Sequence, residues 1–216
     1  MARKLRPLGL QHLDHLPSGC AGCVFWETAG RLEPRCGAAC DLEMARVWVA
    51  DVHEQWGESG RVAYEGDTIL GFIKYAPARF LPQSRNFPSG PSSDDAVLLA
   101  CMHISDDARQ RGLGTLLLRA ALRDLVARNE RSVEAFASTV RTGFAEQPVM
   151  GVEFLLRNGF NVLRPHPVYP LLRLDLRSLA TWTENLESVL ESLRIPARQP
   201  GRVPSPTVNM KGDARG

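Results

Sequence analysis

The sequence contains no apolar stretch long enough to cross a membrane, because its longest uninterrupted one, Ala96–Met102, falls far short of the roughly 20 residues that a membrane helix needs. It also lacks an excess of charge: the formal net charge is only +2, so no global signal marks a binder of nucleic acid or of a membrane surface. The basic start, Met1–Arg6, is not followed by the apolar core of a signal peptide. We therefore expect a cytoplasmic protein without nucleic-acid or membrane partners, in which any anion site is local.

The rest of the composition is that of one folded domain. With 216 residues, of which 44% are apolar and 23% charged, the chain can bury one substantial core. The patterns predict a cysteine-containing N-terminal segment over 1–40, a main domain over 41–176, a C-terminal helix over 177–194 and a disordered tail over 195–216. The apolar stripe of that helix, within Ser178–Leu193, suits packing on the domain or on a second subunit, so a homodimer is one expectation.

Apolar periodicity within residues 41–176 predicts an α/β fold. The predicted elements are a helix over 41–56, a hairpin of 61–64 and 68–75, a Pro-rich loop over 76–95, an inner strand over 96–104, a helix over 113–129, a strand over 132–138, a helix ending at 158, and strands over 160–163 and 171–176. The strand–helix–strand order from 96 to 138 is that of a right-handed crossover. The sheet is therefore expected to be mixed, with a parallel strand pair flanked by antiparallel strands and with helices on both faces.

A glycine-rich segment, residues 105–115, lies between the apolar strand and the strongest predicted helix. The first turn of a helix has backbone N–H groups without intrahelical partners and carries the positive end of the helix dipole, so it can hold a phosphate or a diphosphate. Gly112 and Gly114 remove Cβ atoms where a diphosphate would meet the amides of residues 111–115, and Arg109 and Arg111 supply positive charge. The segment therefore predicts anion binding.

Two familiar anion sites are excluded by what this segment lacks. A Walker A loop needs a lysine directly after its last glycine, and none follows here. A dinucleotide-binding fingerprint needs a glycine or alanine three residues after Gly114, where Leu117 stands instead. What remains is R-x-x-G-x-G at a strand-to-helix junction, formed by Arg109, Gly112 and Gly114.

At this point the chain resembles the GNAT superfamily of N-acetyltransferases, whose coenzyme A pyrophosphate loop has the form [QR]-x-x-G-x-[GA]. The resemblance covers residues 41–176 and includes the Asn158-Gly159-Phe160 step that is typical of the family. It implies that acetyl-CoA is the cosubstrate and that the chain moves an acetyl group to a primary amine by direct attack in a ternary complex. The implied binding residues are Met102, His103, Ile104, Arg109, Gln110, Arg111, Gly112, Leu113, Gly114 and Thr115.

The resemblance also implies a mechanism. In this family the strand before the loop splays from its parallel neighbour, and its free backbone groups hold the pantetheine arm and polarise the thioester carbonyl. Met102 and Ile104 are the candidates here by position. Since an amine of pKa roughly 10 is mostly protonated at neutral pH, a base is needed. Glu134 in the neighbouring strand is the first candidate and His103 the second, with a solvent-facing glutamate and a packed core histidine as the structural interpretations.

One family feature is missing. Many members use a tyrosine on the helix after the second parallel strand to protonate the leaving thiolate, whereas this chain has only Tyr64, Tyr75 and Tyr169. Tyr169 could reach the site only if the closing strands fold over it. The general acid therefore stays open, and water is one alternative. A catalytically weak domain that binds acyl-CoA as a regulatory module is the alternative to an enzyme.

The cysteines allow several interpretations. Cys20 and Cys23, with Cys36 and Cys40, form two close pairs that could hold structural zinc, although the second spacing is unusual and packed, reduced thiols are the simpler interpretation. The segment from Cys20 to Glu27 looks like the N-terminal cysteine pair of a subset of bacterial GNAT proteins. A redox-sensing pair, and with it a thiol- or zinc-regulated module, is the remaining alternative.

Overall fold

A mixed β-sheet runs through the part of the chain that the computed structural model describes, namely residues 3–17, 19–30, 40–109, 112–140 and 148–177. Its strands are β1 Arg3–Pro7, β2 Gly60–Glu65, β3 Thr68–Pro77, β4 Ala96–Ile104, β5 Ser132–Ser138, β6 Met150–Gly151, β7 Asn161–Arg164 and β8 Leu171–Asp175. The helices are α1 Leu42–Gln55, α2 Leu113–Ala127 and α3 Val152–Arg157. Each predicted element between 41 and 176 is present, with ends that differ by a few residues, as is usual at fraying termini.

The strand order is β1-β2-β3-β4-β5-β8-β7, with β6 paired to β5. β4 and β5 are parallel, as are β5 and β6, and every other neighbouring pair is antiparallel. The predicted mixed sheet with a parallel pair inside antiparallel strands is confirmed. The parallel pair arises because α2 carries the chain back across the sheet between β4 and β5.

Helices cover both faces of the sheet, as predicted. On one face α1 begins at the cap residue Asp41, whose side chain accepts a hydrogen bond of 2.9 Å from the backbone N–H of Met44. It buries one stripe of side chains, which includes Trp48 and Val52. On the other face α2 and α3 pack on a second apolar cluster through side chains such as Leu117 and Leu155. The core is therefore split into two layers by the sheet.

The N-terminal segment contributes to the same core, although no regular structure was predicted there. β1 pairs antiparallel with β2 and extends the sheet, and a 3-10 helix follows over Leu10–His15. Leu8, Leu13, Leu16 and Trp26 are buried on the face that carries α1. A five-residue strand with two arginines, a lysine and a proline has too little apolar alternation to be recognised without its partner strand.

The Pro-rich segment is packed on the α1 face. It forms 3-10 helices over Ala78–Phe80 and Pro82–Asn86, and the ring of Phe87 stacks on that of Phe136 with centroids 4.3 Å apart. Trp48 Nε1 donates a hydrogen bond of 2.7 Å to the Phe80 carbonyl oxygen. The Pro-rich segment therefore packs on the same face of the sheet as α1. The predicted C-terminal helix and tail lie outside the described residues. Among the helices that the structure does describe, none is long and apolar enough to span a bilayer.

Candidate active site

The parallel strands β4 and β5 stay paired over only part of their length. Their pairing runs from Ala96 with Ser132 to Leu98 with Glu134, although β4 continues to Ile104 and β5 to Ser138. Beyond Leu98, β4 remains paired with β3, and the far end of β5 pairs with β6. The sheet therefore opens between β4 and β5 on the side where both strands end. This opening agrees with the splayed strands that the family resemblance implies.

A β-bulge in β4 explains where the opening begins. Leu99 lies opposite Tyr75 and Cys101 lies opposite Lys74, so Ala100 has no counterpart on β3. An extra residue in one strand bends that strand and increases its local twist. The bulged residue lies two positions after the last residue of β4 that pairs with β5. We conclude that β4 turns away from β5 at this point, which no pattern in the apolar run 96–104 reveals.

The opening leads to the amino end of α2. Gly112 is the residue before the helix and has φ +75°, a left-handed conformation that favours glycine, and a Cβ at this position would meet only open space. The first turn of α2 contains no acidic residue. The backbone N–H groups of Leu113, Gly114 and Thr115 belong to this turn, where the helix dipole is positive. The end of the helix is therefore suited to an anion.

Gly112 and Gly114 have different surroundings. A Cβ on Gly114 would lie 3.1 Å from Ile104 Cδ1 and 3.4 Å from Met102 Cε, side chains at the end of β4. Gly114 therefore lets the first turn of α2 pack closely on β4, whereas Gly112 faces open space. The sequence motif alone did not separate these two functions.

Arg109 and its neighbours form the lip of this site. Its Nε donates a hydrogen bond of 3.3 Å to the carbonyl oxygen of Ile104, and its guanidinium forms an exposed ion pair of 3.0 Å with Asp106. An exposed pair of this kind is worth little energy, so the side chain can exchange it for a phosphate contact. Gln110 and Arg111 lie outside the described residues.

His103 lies on the unpaired half of β4. It is half-buried, and its ring lies on that of Phe72 with centroids 6.3 Å apart. Burial, and then the charge of Arg109, lower the pKa of His103 below its ordinary value of 6.5. The imidazole is therefore neutral at neutral pH and able to accept a proton.

Glu134 is fully buried and fully engaged. Its Oε2 accepts a hydrogen bond of 2.8 Å from the backbone N–H of Ser93, and its Oε1 accepts one of 2.9 Å from Arg173. Arg173 also pairs with Asp95, at 2.7 Å. The carboxylate thus ties the end of the Pro-rich segment to β5 and β8. These contacts favour a structural role for Glu134, and its assignment as the base stays a prediction.

The three tyrosines all lie on or beside the packed core. The hydroxyl of Tyr75 donates a hydrogen bond of 2.9 Å to Asp124 on α2, and burial together with that carboxylate raises its pKa. Tyr64 packs near His12, with ring centroids 5.8 Å apart. Tyr169 meets the edge of Phe87 at 5.7 Å, and burial raises its pKa. A raised pKa keeps a tyrosine protonated, but no described contact directs one toward the end of β4.

An ion pair that sequence reasoning missed lies on the α1 face. Lys74 Nζ lies 2.6 Å from Glu27 Oε1, and the two side chains are 10% and 3% exposed. They line a cavity of about 30 Å³ together with Trp48 and Cys101. A lysine within the apolar strand run 69–76 was the available signal, because a buried ammonium needs a partner. Nothing in the sequence identified that partner as Glu27.

Four of the five cysteines lie in described parts of the chain. Cys20 and Cys101 are buried, Cys23 is half-buried and Cys40 is exposed, and the backbones of Cys23 and Cys40 meet in an isolated antiparallel bridge. Cys36 lies outside the described residues. Within the ranges that the structure describes, no group of three or more His, Cys, Asp or Glu side chains is placed to hold a metal ion. Three of the thiols, Cys20, Cys23 and Cys101, line the cavity of the Glu27 pair.

Comparison with known proteins agrees with this geometry. Residues 21–146 match the family model described as "Acetyltransferase (GNAT) family". No curated protein matches the sequence.

Solved structures with the same fold include an N-acetyltransferase from Staphylococcus aureus Mu50. It is 13% identical to this protein with a TM-score of 0.56, and the aligned region spans 82% of this chain and 99% of the other. The PaiA N-acetyltransferase from Thermoplasma acidophilum, in complex with coenzyme A, is 14% identical with a TM-score of 0.52, over 81% of this chain and 99% of that one. A ribosomal-protein-alanine N-acetyltransferase from Brucella melitensis is 15% identical with a TM-score of 0.55, over 80% and 99%.

At these identities the structural likeness shows the fold alone, whereas the family model matches more than half of the sequence. The sheet opening and the glycine turn before α2 lie inside the matched residues. The chain therefore belongs to the GNAT family and is an acetyltransferase.

Proposed function

We propose that this acetyltransferase moves the acetyl group of acetyl-CoA to a primary amine, by direct attack within a ternary complex. The observation that carries the proposal is the opening between β4 and β5, which leads directly to the amino end of α2. An extended thioester lying in this opening can place its acyl end beside β4 and its diphosphate at the helix.

The residues present fit the cosubstrate. The amides of residues 112–115 would hold the diphosphate, with Arg109 close by to add positive charge. By sequence, Gln110 and Arg111 belong to the same proposed loop. The open space beside Gly112 leaves room for phosphate oxygens to approach the backbone. The backbone of Met102, His103 and Ile104 would hold the pantetheine arm along the edge that β5 leaves unpaired.

The chemistry assigned to these residues is modest. A backbone N–H of Met102 or Ile104 that donates to the thioester oxygen stabilises the negative charge that develops there during attack. His103, neutral at neutral pH, is the stronger of the two proposed bases, because both oxygens of Glu134 already accept hydrogen bonds. The base takes one proton from the ammonium form of the substrate before attack, which frees the nitrogen lone pair. As the carbon–nitrogen bond forms and the carbon–sulfur bond breaks, the nitrogen loses a second proton, which neutralises the departing thiolate directly or through water.

The site is tested by a glycine substitution with a matched control. Gly112→Ala adds a methyl group at the proposed diphosphate contact, and Gly66→Ala adds one in the β2–β3 turn. Both glycines have positive φ and open space around a Cβ, so both substitutions carry a similar backbone cost of about 1–2 kcal/mol.

We expect Gly112→Ala to weaken coenzyme A binding by about tenfold or more in calorimetry, and Gly66→Ala to leave the affinity unchanged. A wild-type chain that binds no coenzyme A would refute the proposal. Release of free thiol from acetyl-CoA with a panel of amines then tests turnover. Binding without thiol release from any amine would point to a regulatory acyl-CoA-binding domain instead.

A further inference from the structure

The Glu27 carboxylate is satisfied on one side only. Its Oε1 lies 2.6 Å from Lys74 Nζ, whereas its Oε2 is buried and has no hydrogen-bond partner among the described residues. A buried carboxylate oxygen without a donor destabilises the folded state, because it has lost its hydrogen bonds to water and gained none from the protein. Because Glu27 also lines a cavity, this oxygen can accept a hydrogen bond from a ligand.

Lys74 cannot easily supply a second bond. Burial alone would lower the pKa of its ammonium, but Glu27, together with Cys101 and Cys23, more than compensates, and the pKa lies above its ordinary value. The ammonium also lies 5.2 Å from the centre of the Trp48 ring, a cation–π distance. Its charge is therefore shared between Glu27 Oε1 and Trp48, which leaves Glu27 Oε2 for a donor from outside the chain.

The cavity that Glu27 lines is next to the sheet opening. Cys101, in the unpaired half of β4, forms part of its wall, and so does Pro148, two residues before β6. Trp26 holds Pro148 in place through a hydrogen bond of 3.2 Å from its Nε1 to the Pro148 carbonyl oxygen. The cavity thus touches both sides of the gap in which the thioester is proposed to lie.

The remaining walls are apolar and belong to the N-terminal segment and to α1. Apart from the ion pair, the lining consists largely of aliphatic, aromatic and thiol side chains, including Leu13, Leu16 and Val49. With about 30 Å³ of space, the cavity has no groove for an extended peptide backbone and no second charged group for a polar body.

We propose that Glu27 is the acceptor-binding residue of this enzyme and that its acceptor is a small primary amine with an apolar body. This inference rests on the proposed function, and it specifies the acceptor side of the same site. An N–H of the bound neutral amine donates to Glu27 Oε2, which orients the nitrogen lone pair toward the opening. As nitrogen attacks and becomes positive, the nearby carboxylate stabilises that charge. The cysteine-containing N-terminal segment thus has a structural role, because Cys20 and Cys23 form part of the wall of this acceptor pocket.

The test uses amine kinetics with acetyl-CoA on the full chain. The acceptors are straight-chain primary amines from ethylamine to hexylamine, benzylamine and a peptide with an N-terminal alanine. We expect Glu27→Gln to lower kcat/KM for the preferred small amine by about 10- to 100-fold, the value of a hydrogen bond to a charged group. The KM for acetyl-CoA should stay within twofold, and Glu27→Asp should restore part of the loss.

Because Glu27→Gln leaves Lys74 buried without its counter-charge, the double variant Glu27→Gln/Lys74→Met is measured beside it. Both should show the same loss, and Glu43→Gln, an exposed glutamate on α1, should show none. Amine kinetics within threefold of wild type in both Glu27 variants would overturn the proposal. Acetylation of the peptide but of no small amine would overturn the assigned substrate class.

A direct measurement separates this proposal from the one on which it rests. The preferred amine, or ethylamine as the smallest of the panel if no amine is turned over, is titrated into the chain without cosubstrate and followed by calorimetry. Binding that Glu27→Gln weakens by tenfold or more supports the acceptor pocket, even where coenzyme A binding fails. Binding that is absent, or that is the same in both proteins, overturns the pocket, even where coenzyme A binding succeeds.

Discussion

Replacing Glu134 with glutamine decides between a structural carboxylate and a catalytic base. The side chain is fully buried and accepts hydrogen bonds from the Ser93 backbone and from Arg173. A glutamine keeps one acceptor oxygen and turns an NH₂ group toward a donor at the other position. Breaking a buried ion pair costs about 3–5 kcal/mol, but Arg173 is 27% exposed and keeps Asp95 as a partner. We therefore expect a loss of about 2–4 kcal/mol in the free energy of unfolding.

For a chain of this length, each kcal/mol shifts the melting temperature by about 2–4 °C, so the melting temperature should fall by roughly 5–15 °C. Circular dichroism during heating measures this shift, and Glu43→Gln on the surface of α1 should change it by no more than about 1–2 °C. At a temperature where the variant remains folded, kcat should fall by less than about tenfold, because removal of a general base costs 10²- to 10⁴-fold. A stable variant with a kcat reduced a thousandfold would refute the structural role.

Three further outcomes are expected. If His103 is the base, kcat/KM for the amine should fall as the pH drops through an apparent pKa below 6.5, since protonation removes the accepting nitrogen, and His103→Gln should abolish that limb of the profile. Asp124→Asn should destabilise the chain by about 2 kcal/mol in chemical denaturation, because Arg61 and Tyr75 both donate to this largely buried carboxylate, and should leave the KM for acetyl-CoA within twofold. Trp48→Phe should cost about 1–3 kcal/mol in the same assay, since it leaves the buried Phe80 carbonyl without its donor; an unchanged midpoint would contradict the hydrogen bond.

Three largely buried carboxylates of the described residues differ in whether each of their buried oxygens has a hydrogen-bond donor. Glu134 has donors on both oxygens, and the carboxylate of Asp124 receives two donors on one oxygen. Glu27 alone among these three has a buried oxygen without a donor. Glu134 and Asp124 therefore hold distant segments of the chain together, whereas Glu27 has an oxygen that can still accept a hydrogen bond from a ligand.

Much of the fold was readable from the sequence, because its strongest signals are local. The run Ala96–Ile104 and the leucine stripe of α2 identified the strand and helix on either side of the glycine turn, and those elements are where the patterns placed them. The prediction of an anion site came from the same stretch, since a helix start, two glycines and nearby arginines are all contiguous. β1 and β6 were not predicted, because strands this short gain their identity from the partners they pair with.

What the sequence by itself determined is the order of elements and the position of the loop proposed to hold the cosubstrate, since both depend on residues adjacent along the chain. Only the tertiary structure decided how far β4 and β5 remain paired, because a bulge opposite Lys74 and Tyr75 shows in the register of two strands and not in either strand alone. The tertiary structure likewise decided that both oxygens of Glu134 accept hydrogen bonds, whereas one oxygen of Glu27 has no donor among the described residues. The partners of a buried charge come from distant segments, and so its surroundings are settled by packing.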